Sequence, residues 1–255
     1  DFKVQRNFLP PHLCFDEFRS VKGVDASMSF LFLNAESGQI LNILPDRRMP
    51  ALIHYFMSYS RKAREAVKTV CMDMYSPYFS VVHHCFPHAK IILDRFHIVQ
   101  LLSRALNKTR INFMNQSKPH KRYWKLLLKF EDDLNDQDFK KWVCFPSLMR
   151  EIDIVHFLVE LDPELKATYE LYQSLLTALN RKDPDAFLQA CLNPDPLISK
   201  PMNTAIQSLV ERKEAVINAL TYSFSNGMIE GTNNLIKVIK RLAFGYRSFI
   251  QFKTR

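Results

Sequence analysis

Two apolar runs of strand length end in carboxylates, and this is the tightest constraint on how the chain can fold. Leu13-Cys14-Phe15 leads into Asp16, and Val70-Cys71-Met72 leads into Asp73. Short continuous apolar runs of this kind read as strands buried on both faces. A carboxylate at the end of such a strand is costly to bury unless a cation lies beside it. A third acid, Glu230, stands in Ser225-Asn226-Gly227-Met228-Ile229-Glu230-Gly231 and opens a segment of helical spacing whose later turns carry Lys and Arg. A divalent metal shared by the three acids accounts for them together, since Mg²⁺ takes oxygen ligands and needs only two or three from the protein. On residue type alone, Glu17 and Asp25 compete with Asp16. The structural alternative for each acid is a helix or loop cap or a surface ion pair.

Around these acids the first 94 residues alternate between strand and helix. Strands are expected over 13–18, 28–34 and 40–44, with Glu36-Ser37-Gly38 turning the last two into a hairpin. A helix follows over 50–64 with Pro50 in its first turn, then a strand over 67–72. A short helix over 79–85, closed by Pro87, leads to a strand over 91–93 that ends at Asp94. This order, β-β-β-α-β-α-β, implies an α/β fold with a mixed sheet covered by helices. Beyond Asp94 the pattern is helical, with helices expected over 96–113, 123–134, 139–142, 149–161, 165–179 and 202–220. Asp162-Pro163 and Asp183-Pro184 mark boundaries, and Trp124 and Trp142 are expected in the core of this region. The expected layout is an α/β core at 1–94, a helical lobe at 95–220, and a final helix in 221–255 that returns to the core.

Charge narrows the partners. The net charge is +9, and nine basic residues with no acid lie between Arg95 and Phe130. Six more follow Gly231, again without an acid. Two such runs, each following a candidate carboxylate, point to a polyanion. Apolar residues make up 47% of the chain, enough for a sizeable core. The five cysteines form no CxxC pair and read as reduced core thiols, so no zinc site is expected. No apolar run is long enough to span a membrane, and no signal peptide is recognisable. The first residue is Asp1 rather than Met, and a fragment of a longer protein is expected.

Several segments resemble the ISL3-type insertion-sequence transposases. They are Asp73-Met74-Tyr75-Ser76-Pro77-Tyr78, Phe86-Pro87-His88-Ala89 and Asp94-Arg95-Phe96-His97, followed by the block from Ser225 through Gly231-Thr232-Asn233-Asn234. Ile236-Lys237, Lys240-Arg241 and Phe244-Gly245-Tyr246-Arg247 continue that block, and the resemblance runs from about Leu13 to the end. It implies an RNase H-like mixed sheet with a large all-α insertion, and a DDE-type site in which Asp16, Asp73 and Glu230 hold Mg²⁺ or Mn²⁺, two ions in all. Cleavage and strand transfer on DNA at insertion-sequence ends are the implied activity, by a homo-oligomer on DNA in a prokaryotic cytoplasm. Lys237, Lys240, Arg241, Arg247, Arg104 and Lys108 are the expected DNA contacts. Asp94, His97 and Asn234 are secondary candidates, Asp94 and His97 having a helix-capping or structural alternative. Relatives of this type carry a zinc-binding and helix-turn-helix region ahead of the core, and end recognition is assigned to it. The alternative functions are an RNase H-like nuclease without strand transfer and a catalytically silent DNA-binding or assembly module.

Overall fold

The computed structural model of the chain describes residues 5–116, 122–224, 227–242, 246 and 248–254, apart from the side chains of 116 and 227–230. The chain divides into two compact units, Asp1–Arg95 with Thr221–Arg255, and Phe96–Leu220.

The first unit is built on strands β1 (His12–Arg19), β2 (Met28–Asn34), β3 (Ile40–Leu44), β4 (Thr69–Met72) and β5 (Lys90–Leu93). They form one sheet in the order β3-β2-β1-β4-β5. β1 and β2 pair antiparallel, as do β2 and β3, while β1, β4 and β5 run parallel. This is an RNase H-like mixed sheet. Every residue of β4 is buried, as a central parallel strand requires. The turn between β2 and β3 reverses at Gly38, whose φ of 71° suits a residue without Cβ, and its N–H donates to the Asn34 carbonyl at 2.9 Å.

Helices α1 (Met49–Met57) and α3 (Ser76–Cys85) cover one face of the sheet, with the short α2 (Arg61–Glu65) between them in sequence. Phe15 of β1 stacks on Phe56 of α1 at 5.4 Å and meets Tyr78 of α3 edge-on at 6.3 Å. The single helix expected over 50–64 is therefore broken in two. Ser58 donates its hydroxyl to the Tyr55 carbonyl, and Ser60 accepts from the Ala63 N–H to start α2. Serine side chains that bond nearby backbone favour helix ends over helix interiors.

The second unit contains most of α4 (Arg95–Gln116), then α5 (Glu151–Val159), α6 (Pro163–Arg181), α7 (Pro184–Leu192), α8 (Lys200–Val210) and α9 (Lys213–Thr221). Asp162 and Asp183 cap α6 and α7 by accepting from Leu165 and Ala186 N–H at 2.7 and 2.9 Å. Two expectations fail here. The segment 123–134 is not a helix but holds two 3₁₀ turns, Leu126–Leu128 and Glu131–Asp133. Gln173 of α6 accepts from the Glu131 N–H and donates to the Lys129 carbonyl, both at 3.0 Å, so a distant side chain replaces helical hydrogen bonds. The segment 139–142 instead enters a hairpin of β6 (Lys140–Lys141) and β7 (Leu148–Met149), held by Trp142 Nε1 donating to the Met149 carbonyl. Trp124 and Trp142 are half-buried rather than core, and the helix expected over 202–220 is split into α8 and α9.

The chain then returns to the first unit as α10 (Gly227–Leu242) and α11 (Phe249–Lys253). These lie on the sheet face opposite α1 and α3. Alternate side chains of β1 point there, and Phe18 meets Phe252 of α11 at 5.6 Å.

Candidate active site

Strand register brings three acids to one level. Cys14 of β1 pairs with Cys71 of β4, so Asp16, inside β1, lies level with Asp73, the residue just past the end of the adjacent parallel β4. Met72 pairs with Leu93 of β5, which sets Asp94 level with Asp73, and the Asp94 N–H donates to the Met72 carbonyl at 2.9 Å. Carboxyl ends of parallel strands are where α/β sheets hold their ligands. Beneath this level the two thiols are buried, and the Cys14 contact together with burial pushes the Cys71 thiol up, leaving both as packing groups.

Each acid is held differently. Asp16 accepts from the Glu17 N–H through Oδ1 at 2.7 Å and from the Asn233 side-chain amide of α10 through Oδ2 at 2.6 Å. Asp73 accepts from the Tyr75 N–H at 2.9 Å, which fixes the turn into α3. Asp94 is buried and immediately precedes α4; His97, three residues later, belongs to the second unit. Glu230 belongs to α10, three residues before Asn233, and its side chain lies outside the described residues.

The competing acids are engaged or remote in sequence. Glu17 points to the opposite sheet face, is ion-paired with Arg47, and accepts from the Tyr78 hydroxyl at 2.9 Å. Arg47 also lies 4.4 Å over the Tyr75 ring, so this cluster braces the turn that carries Asp73. Burial raises the Tyr78 phenol pKa, and the Glu17 charge adds to it. Tyr78→Phe is expected to lower stability by ~2 kcal/mol in urea unfolding, because a half-buried carboxylate loses a donor. An unchanged midpoint would show that Arg47 alone satisfies Glu17. Asp25 is exposed in the loop after β1.

Among the expected DNA contacts, Lys237 and Arg241 are exposed on α10, as is Asn234, which accepts from Lys237 Nζ at 3.4 Å. Lys240 is different. Its ammonium donates to the Arg19 carbonyl and lies 4.7 Å over the Phe18 ring and 5.5 Å over Phe252. Burial and the Arg19 charge lower its pKa, so this cation fastens α10 to the end of β1. Arg247 lies outside the described residues. Arg104 and Lys108 are exposed on α4 in the second unit. Sequence reasoning chose Asn234 and missed Asn233; both lie on the Glu230 face, at i+4 and i+3, and spacing does not separate them.

Among the described residues, no group of three or more His, Cys, Asp or Glu is arranged to hold a metal ion. The donors at this level are carboxylate oxygens, the chemistry of a hard divalent cation, and they fit Mg²⁺ or Mn²⁺ rather than a soft metal.

The RNase H-like mixed sheet with its helical unit defines the class. The chain belongs to the ISL3-type DDE transposase family, described as transposase, whose profile matches residues 13–255. It is 27% identical over 244 residues to the "Transposase for insertion sequence element IS1001" of Bordetella parapertussis, covering 92% of this chain and 57% of that protein. It is also 37% identical over 117 residues to a Lactococcus lactis subsp. lactis protein named "ATP-dependent protease", covering 46% of this chain and 36% of that one. The chain thus spans less than two thirds of the length of either relative. Among the described residues, no helix is long and apolar enough to cross a membrane.

Proposed function

We propose that this chain is the catalytic core of a transposase that cleaves DNA at insertion-sequence ends and joins the freed 3′-hydroxyl to target DNA, with Asp16, Asp73 and Glu230 as its metal ligands. The observation that carries the reading is the parallel register Cys14↔Cys71, which sets Asp16 of β1 level with Asp73 just beyond β4. The Asn233–Asp16 hydrogen bond supports it, since it ties α10, the helix that includes Glu230, to that level. Asp16, Asp73 and Glu230 would hold Mg²⁺ or Mn²⁺, which when bound would supply charge neutralisation at the phosphate and acidify the attacking water or hydroxyl. Asn233 keeps one Asp16 oxygen oriented, and the Tyr75 N–H does the same for Asp73. Lys237 and Arg241 neutralise backbone phosphates, and the 96–220 unit is the insertion between the second Asp and the Glu. A homo-oligomer assembled on DNA is the working form.

The deciding experiment incubates the 255-residue chain with labelled duplex DNA bearing pre-cut 3′ ends, with Mg²⁺, with Mn²⁺, or with chelator. Metal-dependent joining is expected. Nicking without joining would favour a hydrolytic nuclease, and no metal-dependent chemistry at all would favour a silent binding module. DNA affinity is expected to fall steeply with salt. Lys237→Gln with Arg241→Gln should lower the slope of log K against log[salt] by about 2, at roughly 0.9 per lost phosphate contact. An unchanged slope would remove these two residues from the interface.

A further inference from the structure

We propose that a basic groove on the helical unit is a second track for the duplex-DNA backbone, separate from the cations of α10; this step rests on the DNA reading above. The groove has a volume of about 540 Å³ and runs between α4 and α8. Arg104 and Lys108 line one wall and Lys200, the first residue of α8, the other; all three are exposed. No acidic residue contributes to the lining.

The arrangement is unfavourable without an anion. Arg104 and Lys108 are four residues apart, about 6 Å along one helix face, and like charges at that spacing work against the helix. Among the described residues, Arg104 donates to a neutral side chain, Gln100 Oε1, at 3.0 Å. Lys200, the first residue of α8, places its charge at the positive end of that helix's dipole.

A buried cation stands behind the groove. Arg110 is 7% exposed, bonded to Asn107 Oδ1 and packed 4.4 Å over Trp124. Burial lowers the Arg110 pKa, and among the described residues no carboxylate offsets that shift. Asn107 itself lines the groove, so the uncompensated Arg110 charge acts on the groove through a low-dielectric wall. A groove lined by three cations with no acid and no aromatic platform suits a phosphate backbone rather than unstacked bases.

The test uses the full 255-residue chain and compares two charge-matched triple variants by duplex-DNA binding across a salt series. The groove variant is Arg104→Gln, Lys108→Gln, Lys200→Gln; the control is Lys140→Gln, Lys182→Gln, Lys213→Gln, exposed cations elsewhere in the same unit. The groove variant should lower the salt slope by about 2 to 3, and the control by less than 1. A charge-preserving variant, Arg104→Lys with Lys108→Arg and Lys200→Arg, should restore the slope, which separates charge from any loss of folding. Equal drops in groove and control variants would overturn the groove, as would a loss confined to RNA binding with duplex affinity intact. A wild-type chain that binds no duplex DNA would sink the transposase reading itself, an outcome distinct from a groove variant that binds as the wild type does.

Discussion

Asp73→Asn is expected to reduce DNA cleavage and joining by roughly a thousandfold, about 4 kcal/mol of lost transition-state stabilisation, while leaving the fold intact. The amide retains an oxygen to accept from the Tyr75 N–H, so the turn into α3 keeps its hydrogen bond. It removes the negative charge set level with Asp16 by the β1-β4 register. In the proposed site the charges of Asp16, Asp73 and Glu230 repel one another and a bound cation would offset them. Metal-free Asn variant should therefore melt at or above the wild-type temperature, and Mn²⁺ should raise the melting temperature of the wild type far more than that of the variant. Equal stabilisation by Mn²⁺ in both proteins, or ordinary cleavage by the variant, would remove Asp73 from the metal site. A variant that fails to fold would instead assign Asp73 to the turn alone.

Glu230→Gln is expected to have an equally large effect on chemistry and a different effect on binding. The residue is separated from Asp73 by more than half of the chain, yet Asn233, three positions later on α10, touches Asp16. Gln preserves size and most hydrogen bonding but lacks the charge a metal ligand supplies. Cleavage and strand transfer should be lost to near completion, again roughly a thousandfold. DNA affinity should hold or rise slightly, because repulsion between carboxylate and phosphate falls. Normal activity in this variant would defeat the assignment. Loss of α10 helicity without loss of metal binding would instead give Glu230 a capping role.

How much of this was legible in the sequence depends on how local each feature is. The strands of the first unit were readable because their apolar runs are continuous and their breaks carry turn residues, as at Glu36-Ser37-Gly38. The α/β class followed from their order. Helix boundaries were less legible where side chains compete for the backbone. Ser58 and Ser60 divide α1 from α2, and the apolar spacing of 50–64 does not register that competition. The segment 123–134 has helical spacing, but Gln173, some forty residues later, takes two of its backbone groups. No local window contains that partner.

By itself the sequence determined the residue types: carboxylates closing buried runs, an acid opening a basic helix, and two acid-free cationic stretches. Tertiary structure alone decided which of them meet. Register selected Asp16 over Glu17 as the neighbour of Asp73, since adjacent residues of a strand face opposite sides and only one side bears α10. Docking of α10 selected Asn233 over Asn234 and turned Lys240 inward to Arg19 and Phe18 while Lys237 and Arg241 stayed in solvent. These choices turn on burying one helix face against one sheet face. That free energy belongs to contacts more than two hundred residues apart, which composition and spacing do not encode.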